Sequence, residues 1–236
     1  MSNHNSEQIN YFTRRQLPRM TLDRSSSPYT RRQLLAVMEA AGIGPGDRVL
    51  DVGCGLGKYT IGLASEGVDV HGLDLTPALV EQLHREAPEI PAVVGDIVAP
   101  ATELHGAFDV VTGFFVLHHV SDITGAMRGV RTVLRPGGRA SFCEPNPLFP
   151  GYYAQITLTP GMTWQGDGGI LRMRHGLLRR AASDAGLEDF RTTRFGAFPP
   201  ALANRATGRR VESWVERVPG WSRVAAFQLF SARAPL

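Results

Sequence analysis

The sequence VLDVGCGLG, at residues 49–57, joins an apolar run to three glycines in a G-x-G-x-G spacing. The run Arg48–Val52 is typical of a short strand, and the glycines allow a tight turn and let a ligand approach without a Cβ clash. A dinucleotide-binding loop has the spacing G-x-G-x-x-G, and Lys58 occupies the position of its third glycine. The stretch therefore predicts a strand, a ligand-binding turn and a helix, in a pattern that departs from the one for NAD.

Strand and helix patterns alternate on both sides of this turn. Between the strand-like segments, apolar residues recur at helical spacing; Gly42 is expected to end the first such helix, and Thr76 and Ser121 are expected to cap two others. This alternation predicts a doubly wound α/β domain with a mostly parallel sheet. The further strands are expected at 68–73, 92–95, 108–116 and 139–144, and near 191–195 and 225–232.

Two segments interrupt the alternation. Residues 1–27 are polar and end in a serine run, which is typical of a flexible arm or lid. Residues 145–170 are rich in proline, glycine and aromatic side chains, and are expected to form either a substrate lid or a solvent loop packed by its own aromatics. Residues 28–236 are expected to form one domain that includes this insertion, because their length suits a single hydrophobic core.

The composition narrows the class of protein. Hydrophobic residues make up 43% of the 236 positions, which is enough for a core, yet no apolar run approaches the roughly 20 residues that span a bilayer. The N-terminus lacks the apolar stretch of a secretory signal, and Cys54 and Cys143 are too few for a disulfide framework or a zinc site. A cytoplasmic protein without a metal is therefore expected. The formal charge is +3 and arginine pairs such as Arg209-Arg210 are scattered, which favours solvated faces over a nucleic-acid footprint.

Carboxylates follow two of the predicted strands, at the sheet edge where α/β proteins bind ligands. Asp74 ends the second strand, where it can accept the hydroxyl protons of a ribose, as it could for any adenosine ligand. Asp96 follows the third strand in the tripeptide Gly95-Asp96-Ile97, where it can accept a hydrogen bond from an adenine amino group while Ile97 packs on the ring. These residues favour an adenosine ligand without separating NAD from S-adenosylmethionine.

The ordered set of motifs resembles a known family. VLDVGCGLG, LDLT, GDI, FDVVTGFFVLHHV and LRPGGR, over residues 47–144, resemble the class I S-adenosylmethionine-dependent methyltransferases, in particular the small-molecule members related to ubiquinone and menaquinone methyltransferases. The resemblance implies a Rossmann-like seven-stranded sheet with helices on both faces and a reversed last strand. It also implies that S-adenosylmethionine is the cofactor and S-adenosylhomocysteine its product.

The resemblance further implies where the cofactor binds. The methionine part is expected near the glycine turn and Phe114, the ribose on Asp74 and the adenine near Asp96. Tyr11 lies in an arm that often folds over the cofactor in such enzymes. The full set of implied cofactor-binding residues is Tyr11, Gly53, Cys54, Gly55, Asp74, Leu75, Asp96, Ile97 and Phe114.

Three residues are candidates for catalysis. Methyl transfer is an in-line displacement, so the protein must align a nucleophile, exclude water and, for a phenol-like acceptor, remove a proton. His118 and His119 follow the fourth strand, and histidine is the natural base near neutral pH. Glu144 ends the fifth strand, where it is expected to orient a histidine, bind the acceptor or anchor a loop. The sequence leaves open which histidine acts, or whether both are structural.

The acceptor is expected to be a small molecule, apolar or aromatic if the lid residues Phe149, Tyr152, Tyr153, Met162 and Trp164 line the pocket. Natural-product biosynthesis is one setting, and a homo-oligomer is one possible assembly. Two rival functions stay open. The chain could be a nucleotide-dependent oxidoreductase, or a cofactor-binding module without catalytic activity.

Overall fold

The sheet has seven strands. In a computed structural model that describes residues 3–16, 27–159, 163–164 and 168–236, the strand order is β3-β2-β1-β4-β5-β7-β6. β7 runs antiparallel to both of its neighbours, and the other paired strands are parallel. The predicted sheet with a reversed last strand is therefore confirmed. The strands are β1 Arg48–Val52, β2 Asp69–Asp74, β3 Ala92–Val94, β4 Phe108–Phe114, β5 Leu134–Pro145, β6 Glu188–Phe195 and β7 Phe227–Arg233.

Helices cover both faces of the sheet. In β1, Val49 enters the core under α2, α3 and α4, whereas Leu50 enters the core under α5 and α7. Neighbouring residues of β4 divide in the same way, Val110 to one core and Val111 to the other, because successive strand side chains point to opposite faces. Two-sided burial explains why these strands read as continuous apolar runs. The helices are α1 Asn3–Gln16, α2 Pro28–Ala41, α3 Thr60–Ser65, α4 Pro77–Glu86, α5 Ile123–Val133, α6 Pro150–Leu158, α7 His175–Asp184, α8 Pro200–Ala203 and α9 Ala206–Val215.

Local details confirm two predicted helix boundaries and correct a third. Gly42 ends α2 in the left-handed conformation, with φ of 62°, as expected. Asp122 rather than Ser121 caps α5, because its carboxylate accepts the backbone N–H of Gly125 at 2.7 Å. Thr76 stands at the N-cap of α4 but its side chain makes no capping hydrogen bond. The carboxylate of Asp74 accepts the N–H of Thr76 instead, at 2.8 Å.

The two interrupting segments contain helices where the structure describes them. The N-terminal segment forms α1. The insertion forms α6 and a 3₁₀ turn, Gly168–Arg172, so it is not an irregular loop throughout. Residues 17–26, 160–162 and 165–167 lie outside the described residues. In the described part of the chain, no helix combines the length and apolar character needed to cross a membrane.

Candidate active site

A cavity of about 660 Å³ opens at the carboxyl ends of β1 to β4. Its walls come from the glycine turn after β1, the residues that follow the next three strands, and the two helices α1 and α6. The size falls in the range that encloses a drug-sized or nucleotide-sized ligand. The cavity therefore lies at the edge of the sheet where the sequence predicts a cofactor.

The glycine turn has a backbone that other residues rarely adopt. Gly53, Gly55 and Gly57 have φ values of 73°, 53° and 87°. A Cβ on Gly53 would lie 2.4 Å from a methyl carbon of Val116, so the turn also packs closely against the segment that follows β4. Gly53 and Gly55 line the cavity. The turn thus presents bare backbone to a ligand, as its spacing predicts.

Asp74 links the glycine turn to the next strand. Its Oδ2 accepts the N–H of Gly55 at 2.9 Å, and its Oδ1 accepts the N–H of Thr76 at 2.8 Å. Burial raises the pKa of this carboxyl, and the two backbone hydrogen bonds act in the opposite direction. The side chain of Thr76 also bonds to this carboxylate. A carboxylate has about four acceptor positions, so Asp74 can still accept a hydroxyl from a ligand. Leu75 lines the same wall.

Asp51, in β1, is a second buried acid beside the turn, and the sequence analysis did not single it out. Its Oδ2 accepts the hydroxyl of Thr60 at 2.7 Å. Its Oδ1 is buried and has no hydrogen-bond partner among the described residues. Burial and, to a smaller extent, the nearby charge of Asp74 raise the pKa of Asp51 to about 7, although the hydrogen bond from Thr60 acts in the opposite direction. Asp51 lies within the apolar run of β1, and a single carboxylate inside a strand has no sequence signature that predicts a role.

The N-terminal helix α1 covers the end of the cavity at Asp96, which is called the adenine side below because the sequence predicts adenine there. The amide of Asn5 donates to Asp96 Oδ2 at 2.7 Å, and Asp96 Oδ1 accepts the N–H of Val98 at 2.9 Å. Asn5, Gln8 and Phe12 of α1 line the cavity, together with Asp96 and Ile97. The arm therefore reaches the predicted cofactor residues, through side chains that the sequence analysis did not name.

Tyr11, the arm residue expected at the cofactor, is not among the residues that line the cavity. Its ring packs edge-on against Phe12, with centroids 5.3 Å apart. Cys54 also lies behind the wall. Its side chain is buried in the core on the far side of the turn, where a Cβ on Gly72 would lie 2.8 Å from its sulfur. A residue inside a ligand-binding turn can point either way, and its identity does not reveal which.

His118 and Glu144 form a buried pair. The Nδ1 of His118 lies 2.6 Å from Oε2 of Glu144. The other oxygen, Oε1, accepts the backbone N–H groups of Val116 and Leu117 at 2.8 and 2.7 Å. Glu144 is completely buried and does not line the cavity, whereas His118 does. Glu144 thus orients the histidine and anchors the loop, and it lies too deep to bind the acceptor directly.

His119 faces the cavity from the same turn but contacts different groups. Its ring lies 3.9 Å from that of His118 and packs edge-on against Phe12, at 4.9 Å. Its carbonyl oxygen lies 2.8 Å from Nε2 of His4. The structure therefore places His119 at the junction with α1, and His118 against the buried carboxylate of β5.

Aromatic side chains line the end of the cavity opposite the adenine side. Tyr59 stacks on Phe114 with centroids 4.0 Å apart and planes 5° apart. Phe227 lies 5.8 Å from Tyr29 and 6.3 Å from Tyr152. All five of these residues line the cavity, and they come from five separate regions of the chain.

Of the five lid residues expected to line the pocket, the structure describes four, and one of these four does so. Tyr152 lines the cavity. Phe149 packs against the core, and Tyr153 stacks on the exposed Trp164 while its hydroxyl bonds to a backbone oxygen. Met162 lies outside the described residues. The aromatic character of the pocket therefore comes mainly from β4, β7, and the starts of α2 and α3.

Phe115 has a strained backbone at this site. Its φ of 57° is in the left-handed region that side chains rarely adopt, and its N–H donates to the carbonyl of Cys143 at 2.8 Å. Such strain persists only where surrounding contacts fix it, and it is common at functional sites.

In the part of the chain that the structure describes, no three His, Cys, Asp or Glu side chains are grouped to hold a metal ion.

Known proteins resemble the chain over this region. Residues 50–140 match the family described as Methyltransferase domain. A demethylmenaquinone methyltransferase of Beutenbergia cavernae is 39% identical over 136 residues, covering 53% of this chain and 55% of that protein. The aklanonic acid methyltransferase DauC of Streptomyces sp. strain C5 is 33% identical over 142 residues, covering 52% and 62%. The chain thus spans about half the length of the first of these relatives.

A solved structure shares the fold. The phosphoethanolamine N-methyltransferase 2 of Haemonchus contortus, in complex with S-adenosyl-L-methionine, superposes with a TM-score of 0.62 at 19% identity, covering 87% of this chain and 53% of that one. The sequence match, the strand order and the glycine turn agree with one another. Residues 50–140 therefore match a methyltransferase domain in sequence, and they lie in a sheet with the same fold as that solved structure.

Proposed function

We propose that this chain transfers a methyl group from S-adenosylmethionine to a small aromatic acceptor, with His118 as the base that removes the acceptor proton. One observation carries the proposal. The same cavity joins a glycine turn and the buried acid bonded to it, Asp74, to a histidine that a buried carboxylate holds in place. The relatives named above are methyltransferases that act on small molecules, which supports the same reaction class.

Several groups fit an adenosyl cofactor. Asp74 would accept the ribose hydroxyls through its remaining lone pairs, and Asp96 with Ile97 would hold the adenine. Gln8 is buried at the cavity, and its Oε1 has no hydrogen-bond partner within the described ranges, so it can accept from a ligand N–H. Gly53 and Phe114 would border the methionine part. When bound, S-adenosylmethionine supplies an electrophilic methyl group on its sulfonium sulfur.

The His118–Glu144 pair determines how a proton would leave the acceptor. The carboxylate of Glu144 fixes the proton of neutral His118 on Nδ1, which leaves the lone pair on Nε2. A hydroxyl acceptor would give its proton to Nε2 of His118, and S-adenosylmethionine would supply the methyl group to its oxygen. The resulting imidazolium stays paired with Glu144. Oxygen methylation is thus the reaction for which this pair is best arranged.

The aromatic walls indicate the class of acceptor. Tyr29, Tyr152 and Phe227 surround the end of the cavity beyond the histidines, and flat aromatic molecules pack well between such rings. Biosynthesis of a quinone-like or polyketide-like compound suits this pocket. A cytoplasmic location is also part of the proposal, supported by two cysteines that are both free and buried. A homo-oligomer and the absence of nucleic-acid binding stay predictions.

The rival functions make different predictions for ligand binding. An oxidoreductase would bind NAD(P), and a module without activity would bind the cofactor without turnover. Neither has an observation that favours it over methyl transfer, although a fold of this type does not by itself fix the reaction.

Thermal stabilisation followed by a turnover assay tests the proposal. S-adenosylhomocysteine at 100 times its dissociation constant should stabilise the protein by about 2.7 kcal/mol, whereas NAD(P) should leave the melting temperature unchanged. A panel of hydroxylated aromatic compounds with S-adenosylmethionine should then release S-adenosylhomocysteine. Stabilisation by NAD(P) alone would overturn the assignment. Cofactor binding without turnover on any member of the panel would favour the inactive module.

A further inference from the structure

Helix α9 exposes a short apolar stripe. Val211 and Trp214 lie three residues apart on the helix, so they share one face, and they are 50% and 68% exposed. Val218 lies three residues beyond the end of the helix and is also exposed. A tryptophan exposed to this degree beside two valines makes a patch that water does not favour.

The charges around this stripe have one sign. Between residues 196 and 226, every basic side chain is an arginine and all of them are exposed. The same span contains two acids, Glu212 and Glu216. The arginines are Arg205, Arg209, Arg210, Arg217 and Arg223.

Both acids bond to the same arginine, Arg32, on the inner side of α9. Glu212 is buried, and its Oε2 lies 2.6 Å from Nη1 of Arg32 in α2. Glu216 binds Nη2 of the same arginine at 2.6 Å and also accepts the N–H of Gly196 at 2.6 Å. The arginines of this segment therefore form its outward charge, while its two carboxylates hold α9 against α2.

The stripe is connected to the mouth of the cavity. The backbone N–H of Tyr29, a cavity residue, donates to the side chain of Asn204, just before α9, at 2.9 Å. On the other side, the amide of Asn146 donates to the carbonyls of Arg223 and Ala225, at 3.0 and 2.7 Å. Two residues along from Asn146, Leu148 is 59% exposed. Hydrogen bonds thus tie the segment around α9 both to the start of α2 and to the insertion that covers the pocket.

We propose that this face, comprising Val211, Trp214, Val218 and the arginines around them, docks the protein on an anionic bilayer surface. Tryptophan beside arginine and aliphatic side chains is the composition of helices that lie in the headgroup region. Negative lipids attract the arginines, and the apolar stripe enters the boundary with the acyl chains. A nucleic acid would pair with the arginines but leave the two valines in water. An acidic protein surface is the competing partner, and the experiment below distinguishes it.

Vesicle co-sedimentation of the full chain tests this inference, which does not depend on the proposed catalytic activity. Vesicles that contain about one third phosphatidylglycerol in phosphatidylcholine should bind the chain at least about tenfold more tightly than pure phosphatidylcholine. Raising the salt concentration should weaken that binding. The tryptophan emission should shift to the blue on binding, because the Trp214 ring leaves water.

Matched variants locate the surface. Trp214→Ser should abolish the blue shift, and the pair Arg210→Glu with Arg217→Glu should weaken binding at least tenfold. The controls are Trp164→Ser, an exposed tryptophan elsewhere, and Arg179→Glu with Arg180→Glu on α7, which changes the charge equally; both should bind like the parent. Thermal melts identify any variant that fails to fold. If Trp214→Ser does not fold, Val211→Ser replaces it, because the Val211 side chain is also exposed. This variant should weaken binding to the anionic vesicles.

Three results would overturn the inference. The first is equal binding to neutral and anionic vesicles, or to neither. The second is equal loss in the α7 controls, which would make the effect one of net charge. The third is binding to polyglutamate as tight as to vesicles and unaffected by Trp214→Ser, which would indicate an acidic protein partner instead.

Discussion

The two ends of the cavity are built in different ways. The end that we propose for the adenosyl group consists of short contiguous motifs, each placed directly after a strand, and its main groups are backbone atoms and two carboxylates. The end that we propose for the acceptor consists of aromatic rings from five regions between Tyr29 and Phe227 that are far apart in the chain. Only the first kind of site leaves a local pattern in the sequence, because its geometry is set by a few neighbouring residues. The second exists only after the sheet has formed.

The His118–Glu144 pair lies between these two ends and combines both kinds of construction. His118 belongs to a motif after β4, yet its partner Glu144 lies 26 positions away on β5. Adjacent parallel strands bring the two together, as the pairing of Phe114 with Cys143 shows. Substitutions at either end of the cavity, or in the pair between them, should therefore change different measured quantities.

The largest expected effect is on catalysis. His118→Gln should lower kcat by about 10²- to 10⁴-fold, the usual contribution of a general base, and leave the affinity for S-adenosylhomocysteine unchanged. His119→Gln is the matched control and should lower kcat less than tenfold, because its ring packs against α1 rather than against the buried carboxylate. Steady-state kinetics with calorimetric binding would measure both. A larger loss for His119 would reverse the assignment of the base.

Next is cofactor binding. Asp74→Ala should weaken S-adenosylhomocysteine binding by about 100-fold, since hydrogen bonds to a charged group contribute about 1.5–3 kcal/mol each. Isothermal titration calorimetry measures this directly. Cys54→Ala, which changes a side chain on the core side of the same turn, should stay within about threefold of the parent. If both variants lost affinity equally, the turn would be responding to damage to the fold rather than to loss of a ribose contact.

The third prediction concerns pH and the buried acid of β1. The folded pKa of Asp51 is about 7 and the ordinary value is 3.8, so between these values the unfolded chain loses a proton that the folded chain keeps. Stability should therefore fall as pH rises from about 4 to 7, with about 2 kcal/mol lost between pH 5 and 7. Asp51→Asn should flatten this dependence in denaturant titrations. The exposed Asp69→Asn should leave it unchanged, and an equal flattening there would refute the assignment.

The smallest effect is expected at the acceptor end. Tyr152→Leu should raise KM for an aromatic acceptor by about fivefold, through loss of one ring contact worth about 1 kcal/mol, without changing cofactor affinity. Tyr153→Leu is its neighbour on α6 and faces Trp164 rather than the cavity, so it should leave KM near the parent value. Progress curves at several acceptor concentrations would separate KM from kcat. A shared increase in KM would mean that α6 acts as a whole.

Local motifs predicted the fold and brought their residues to one cavity. The glycine spacing, Asp74 after β2 and the Gly95-Asp96-Ile97 turn lie together because the ends of parallel strands meet at one edge of the sheet. Asn5, which bonds to Asp96 from α1, was not predicted, because nothing in a polar arm indicates where it docks. Tyr11 and Cys54 were predicted at the ligand, and neither lines the cavity.

By itself, then, the sequence determined the strand–helix order, the ligand-binding turn and the acid that follows the neighbouring strand, since each follows from residues a few positions apart. Tertiary structure alone decided that His118 rather than His119 meets Glu144, and that Tyr29, Tyr152 and Phe227 share one wall. The physical reason is that side-chain direction and long-range contact depend on how the layers pack. A one-dimensional pattern does not specify that packing.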